Sequence, residues 1–333
     1  MAPTGSVGPP GGGASPPDRA VIASLPPMSR ALVLGGGGPV GIGWLAGLCA
    51  GLAAVEVRLA GADLVVGTSA GSVVGAQLSA GVDLAATVEM LAAAAAASHG
   101  TTTGLVTSGA DEALAGLTAL LAEAAGAGPA GAATRARIGR LACESPTVDE
   151  AGFLAQFAAL AEVPWPEPFV CTAVDTLSGA FRVWDRSSGV ELQQAVASSC
   201  AVPTIFPPVT MAGGRYMDGG LRDLLNADVA LGHQHVLAVS CTVLELPEGF
   251  DEPDLAVLLA SAVAQLDALR HGGAQLEVIV PGPEFLEVSD WGLSLMDFTR
   301  VERAWEAGLA QATVEADRLR PVWARPAART GSS

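Results

Sequence analysis

The sequence predicts an α/β fold in which a mostly parallel sheet is flanked by helices, and three observations lead there. Two strand–turn–helix units follow one another within residues 31–80, and closely spaced units of this kind join parallel strands through helical crossovers. Half of the 333 residues are hydrophobic and 15% are charged, enough to bury a large core in one domain. Aromatic residues are scarce while Gly and Ala abound, so the core must set backbone close against backbone.

Each element follows in chain order. Residues 1–29 are rich in Gly, Pro, Ser and Ala and are predicted to be a disordered tail, because such a composition buries too little surface to offset chain entropy. The tail has no basic segment leading into an apolar one, the pattern of a signal peptide. Ala31–Leu34 reads as a buried strand, Gly35–Gly38 as a turn and Gly41–Val55 as a buried helix. The uncharged stretch 31–55 is long enough to span a membrane, but its eight glycines favour the strand–turn–helix reading. Asp63–Val66, Gly67–Gly71 and Ser72–Ala80 repeat the strand, turn and helix. Helices are predicted at 84–97, 110–126 and 133–143. Thr147-x-x-Glu150 is a candidate capping box for a helix running to Ala161.

Strands return at Phe169–Val174 and Phe181–Trp184, and Ser188-x-x-Glu191 is a candidate cap for the next helix. A hairpin at Val209–Met211 and Arg215–Met217 precedes a strand at Val236–Ser240, a helix at 253–270, a strand at Leu276–Val280 and a closing helix at 299–318. No repeat of fixed period is present. One domain over residues 30–320 with a short tail at 321–333 is the simplest organisation.

Charge narrows the function. All 17 basic residues are arginines and the net charge is −17; this argues against nucleic acid, which needs clustered cations, and against recruitment to anionic membranes. Any membrane contact would be transient, peripheral and apolar, and the chain reads as cytoplasmic. The five cysteines (Cys49, Cys143, Cys171, Cys200 and Cys241) are odd in number and widely spread. They read as free buried thiols in a reducing compartment, and no Cys/His spacing suits a metal.

Three segments could carry chemistry. Gly67-Thr68-Ser69-Ala70-Gly71 is a G-x-S-x-G between a predicted strand and helix, where a strained turn lifts a serine hydroxyl out of the backbone. Gly35–Gly38 ends the first strand, and glycines at Gly36, Gly37 and Gly38 would let backbone N–H groups approach an oxyanion. The same loop, as Gly36-x-Gly38-x-x-Gly41 with Glu56 and Asp63 downstream, also fits a dinucleotide fingerprint. Asp218-Gly219-Gly220 most simply marks a turn, yet its place after the hairpin could aim a carboxylate into a cleft. The histidines (His99, His233, His235 and His271) read as surface or loop residues, and Trp291 and Trp305 as packing residues. The loop Gly100–Gly109 could border an acyl-binding cleft.

Taken in this order, the glycine loop, the serine elbow and the Asp-Gly-Gly turn resemble the patatin-like phospholipases. The segment from Ala197 to Val209, which leads to the aspartate, is similar as well. The resemblance spans about residues 30 to 240 and implies a three-layer fold. It also implies a Ser69–Asp218 dyad that cleaves acyl esters of lipids through an acyl-enzyme, with no histidine, metal or cofactor. Where the family's loop usually reads G-G-G-x-R-G, this chain has Val40 in place of the arginine, which weakens the case for a phospholipid substrate. Two other readings stay open: a non-catalytic binding protein of the same fold, and a dinucleotide-binding oxidoreductase built on the loop 35–41.

Overall fold

A computed structural model describes residues 29–98, 119–124, 126, 131–246 and 253–323. His99, the loop Gly100–Gly109, the start of the helix predicted at 110–126 and most of both tails lie outside these residues. The strands are β1 (Arg30–Leu34), β2 (Leu64–Gly67), β3 (Phe169–Asp175), β4 (Phe181–Trp184), β5 (Val209–Met211), β6 (Gly214–Asp218), β7 (His235–Val239) and β8 (Gln275–Ile279). They form one sheet in the order β5-β6-β3-β2-β1-β7-β8, with β4 also paired to β3. Strands β1, β2, β3, β7 and β8 pair in parallel, whereas β4 and β6 pair antiparallel with β3, and β5 pairs antiparallel with β6. The α/β class and the mostly parallel sheet are as the two strand–turn–helix units predicted.

Alternation along β1 shows why helices cover both faces. Leu32 and Leu34 join a core with α1 (Gly38–Ala54) and α2 (Ala70–Ala80), while Ala31 and Val33 join a second core. That second core contains Leu266 and Leu269 of a long helix, Pro253–His271. A strand buried on both faces is hydrophobic throughout, as Ala31–Leu34 is.

The glycine-rich composition finds its use where α1 meets the last helix, Val301–Trp323. A Cβ on Gly47 would come within 2.1 Å of the Trp305 carbonyl oxygen, and one on Gly308 within 2.2 Å of the Trp44 carbonyl oxygen. The two helices therefore touch backbone to backbone. Trp44 fixes their register: its Nε1–H donates to Gln311 at 3.1 Å and its ring stacks on Phe285. No helix among the described residues is long and apolar enough to cross a membrane.

Several local expectations are corrected. Asp149, not Thr147, caps the helix Glu150–Ala155 by accepting from Gly152 N–H at 2.6 Å. Glu150 cannot close a box with Thr147 because its carboxylate accepts from the Thr210 N–H and hydroxyl. Ser188 is likewise drawn away, into a turn held by Asp185, and Glu191 at the N-cap of Leu192–Ser199 makes no side-chain capping bond. A short helix at Pro283–Ser289, opened by its proline, was not anticipated. The closing helix runs past 318 to Trp323, which is buried under the Arg30 guanidinium. Cys143 is exposed, whereas the other four free cysteines are buried. Trp291 is exposed, while Trp305 is packed against the core.

Candidate active site

Sheet register brings the serine and aspartate segments to one level. Gly67 at the end of β2 pairs with Cys171, and two residues further along β3 Ala173 pairs with Asp218. Ser69 lies two residues beyond Gly67, so the turn after β2 and the end of β6 meet across β3. The Gly35–Gly38 turn ends β1 beside them. All three segments that sequence singled out therefore converge at one end of the sheet.

Ser69 sits at φ 52°, ψ −118°, a left-handed conformation rare for a non-glycine residue and typical of strained functional turns. The flanking glycines permit it: a Cβ on Gly67 would lie 2.5 Å from Ser72 Cα, and one on Gly71 2.0 Å from the Leu34 carbonyl oxygen. The strain is held by a clamp that sequence reasoning did not foresee. Ser69 N–H donates to Ser199 Oγ at 2.9 Å, while the Ser72 hydroxyl and the Cys200 thiol both donate to the Ser69 carbonyl. Two residues on, the Ala201 carbonyl accepts from Asp218 N–H at 3.0 Å. The Ser198–Ala201 run is thus a strut that holds both ends of the site.

Asp218 is 4% exposed. Burial raises its carboxyl to a pKa of about 7; the Gly220 N–H, 2.7 Å away, and the nearby Ser69 hydroxyl oppose that rise by favouring the ionised form. A carboxyl poised near neutrality beside a hydroxyl suits a general base. Gly219 is required by close approach, since a Cβ there would strike Thr172 Oγ1 at 2.2 Å. Gly220 supplies the N–H that orients the carboxyl.

Beneath the site lies a buried polar knot. The two N–H donors of the Asn226 amide are shared among four acceptors within reach, Thr68 Oγ1 (3.1 Å), Thr172 Oγ1 (3.3 Å), and the Gly219 and Asp223 carbonyls (3.1 and 2.8 Å). The two threonine hydroxyls are 2.8 Å apart. One side chain therefore ties the serine turn, β3 and the Asp-Gly-Gly turn together. Asn226 sits in the left-handed region at φ 51°, which asparagine tolerates better than most residues.

The glycine loop divides its labour. Gly36 N–H is committed to the Leu224 carbonyl at 2.8 Å, so Gly36, expected as an oxyanion donor, instead brings backbone close to Ser69; a Cβ there would lie 3.5 Å from Ser69 Cβ. Among the described residues the N–H groups of Gly37, Gly38 and Ala70 meet no protein acceptor. Gly38 has φ +59° and opens α1. Val40, in the position of the family's arginine, is fully buried with its N–H on the Leu295 carbonyl.

The dinucleotide reading finds no support in this arrangement. Asp63 precedes β2 and accepts from Arg30 N–H, at the end of the sheet opposite the glycine loop, and Glu56 lies in an exposed turn. His235 opens β7 and pairs with Arg30, again at the opposite end. None of His233, His235 and His271 lines the cavities at Ser69.

Two cavities meet at Ser69. One, of about 70 Å³, is walled by Val73, Leu91, Phe153, Phe157, Leu160 and Phe206. The other, of about 150 Å³, is walled by Leu121, Leu224, Leu255, Leu258, Leu295 and Met296, and it alone contains Asp218 and Gly37.

An α/β sheet with a serine elbow, a glycine loop and a buried aspartate at one end defines the class of site. The chain belongs to the patatin-like phospholipase family, whose model matches residues 32–231; membership implies a lipid acyl hydrolase. Among solved structures it is similar to VipD from Legionella pneumophila, with 14% identity, 88% of this chain and 67% of VipD covered, and a TM-score of 0.40. No curated protein matches the chain.

Proposed function

We propose that the protein hydrolyses carboxylic esters of lipids through an acyl-enzyme on Ser69, with Asp218 as the only proton carrier. The observation that carries this reading is the buried Asp218 carboxyl, held near pH 7 against the hydroxyl of a strained serine. Asp218 takes the Ser69 proton as the oxygen attacks the ester carbonyl. The N–H groups of Gly37 and Gly38, with that of Ala70, receive the oxyanion. Collapse breaks the ester bond, and the departing alcohol leaves with the proton from Asp218. Water then gives a proton to the same carboxylate and attacks the acyl-enzyme, releasing the fatty acid and restoring Ser69.

Proton delivery assigns the two cavities. Asp218 faces the larger one, so the leaving alcohol belongs there and the acyl chain takes the phenylalanine-lined one. At the rim of the alcohol cavity, the loop that supplies Gly292, Leu295 and Met296 also exposes Trp291 (51%) and Leu293 (59%). These two side chains are the apolar contact with a lipid surface that the acidic chain would otherwise repel.

The test is covalent labelling by a fluorophosphonate, read by intact mass and peptide mapping. One adduct on Ser69, lost in Ser69→Ala together with ester hydrolysis, is expected. Labelling elsewhere, or full turnover by a folded Ser69→Ala protein, would overturn the assignment.

A further inference from the structure

The wall of the smaller cavity is not wholly apolar. Gln77 lines it, is 2% exposed, and among the described residues its Oε1 has no hydrogen-bond partner. Leaving a buried amide oxygen unpaired costs roughly 1–3 kcal/mol, a penalty unusual in a native core and one that points to a partner supplied from outside. Thr87, 5% exposed, lines the same cavity.

Helix geometry locates this polar pair. Ser69 is the N-cap of α2, and Val73 and Gln77 follow at successive intervals of four on the wall of the cavity. At 1.5 Å per residue, Gln77 stands about 12 Å along the helix from Ser69. It lies three residues before the end of α2 at Ala80. Thr87 lies three residues after the start of the next helix, Leu84–Ser98. The short link 81–83 between the helices brings the two side chains to one corner, remote from the reacting serine. An acyl chain leaving Ser69 passes Val73, Leu91 and the phenylalanines before it reaches them.

We propose that Gln77 and Thr87 form a distal polar subsite that recognises a hydroxyl or comparable oxygen function on the far part of the acyl chain, so that the preferred acyl group is oxygenated rather than a plain alkyl chain. The proposal rests on the Ser69 reading above and adds the chemistry of the acyl group to it. An extended chain spans the 12 Å interval in roughly nine or ten carbons. A hydroxyl there donates to the Gln77 oxygen and satisfies it, and the Thr87 hydroxyl is a second partner. A plain methyl terminus leaves the oxygen unpaired, and sites built to bond a hydroxyl discriminate against analogues lacking it.

The test uses the full chain and p-nitrophenyl esters of decanoic and 10-hydroxydecanoic acid, with the butyrate ester, too short to reach Gln77, as the reference. Wild type is expected to cleave the hydroxydecanoate with kcat/KM at least equal to that of the decanoate. Gln77→Leu should shift the ratio roughly tenfold toward decanoate, the scale of one neutral hydrogen bond plus the relief of an unpaired group. Thr87→Val should shift it in the same direction by a smaller factor, and serves if Gln77→Leu does not fold. A ratio unmoved by both substitutions, or a wild type that disfavours the hydroxy ester tenfold, overturns the subsite while leaving Ser69 as nucleophile. Failure to cleave even the butyrate would instead sink the Ser69 reading, and the subsite with it.

Discussion

Replacing Asp218 by asparagine should disable the protein and stabilise it at once, and the structure sets the size of both effects. Asparagine keeps the oxygen that accepts from Gly220 N–H at 2.7 Å but cannot take a proton from Ser69. The expected loss in kcat/KM is about 10²–10⁴-fold, the range for removing a general base. Stability moves the other way. In the fold burial pushes the carboxyl up to about 7, against 3.8 for a solvated aspartate. The folded state therefore holds its proton over a pH range in which the unfolded chain has released it. The sign follows: stability is fully present below about pH 4, declines as pH rises, and levels off once pH exceeds the folded value near 7. At 1.36 kcal/mol per unit, the wild type gives up roughly 4 kcal/mol by pH 8, an upper bound because water can reach the site through the cavity. Asparagine does not titrate and escapes this loss. At about 2–4 °C per kcal/mol for a domain of this size, Asp218→Asn should melt about ten degrees above wild type at pH 8. The gap should narrow steadily toward pH 4. Scanning calorimetry or fluorescence melting from pH 4 to 9 reads the gap directly. Wild-type kcat/KM for a soluble ester should rise through pH 7 over the same range. A variant that melts at or below the wild type at pH 8, or a gap that does not change with pH, would refute the argument that the carboxyl is held at a cost by burial.

Two further predictions test what surrounds the dyad. Asn226→Ala removes both N–H donors of the buried knot and leaves their four acceptors without them; it should lower stability by about 2–4 kcal/mol and depress kcat far more than it raises KM, because Asn226 positions the serine and aspartate turns without facing substrate. Urea denaturation and steady-state kinetics check the two halves separately. Trp291→Ser combined with Leu293→Ser should lower the ratio of activity on lipid vesicles to activity on a soluble ester by about tenfold, the scale of a kcal/mol or two of apolar burial. Vesicle co-sedimentation should weaken in parallel.

Much of the architecture was legible because the elements announce themselves in period and punctuation. The buried strand at Ala31–Leu34, the second unit at 63–80 and the hairpin before Asp218 stand where sequence put them, since glycine turns bound short apolar runs on each side. Boundaries were missed where a tertiary contact captured a local signal. Thr147 and Glu150 spell a capping box, yet Glu150 is held by Thr210, some sixty residues away, and Asp149 takes over the cap. Ser188 is lost to a rival close in the chain, Asp185, three residues before it. A local motif competes for its partner with every acceptor and donor that the fold brings near, and sequence displays only the local ones.

The site divides along the same line, and the division says what kind of information a motif carries. Ser69, Asp218 and their glycines were visible because each demands a residue type that few alternatives satisfy: a hydroxyl at an elbow, a carboxyl beside it, and no Cβ where a Leu34 or Thr172 atom stands within about 2 Å. Ser199, Thr68, Thr172 and Asn226 were invisible, because a serine or threonine inside an apolar run does the same thing in most proteins, bonding its own helix or strand. What sets these four apart is that their bonds cross between elements, and that property arises only when β2, β3 and β6 lie side by side. The Gly36 correction has the same origin: whether an N–H of the glycine loop is free depends on Leu224, and nothing local to residues 35–38 encodes it. Gln77 extends the point to energetics. On an amphipathic helix a glutamine reads as a solvent-facing position, and only its burial without a partner among the described residues marks it as unusual. Ser69 in its strained turn, Asp218 with its pKa raised by burial and Gln77 unpaired are three separate costs gathered around one pair of cavities, and a fold that tolerates them together does so where a ligand can repay what packing alone leaves unmet.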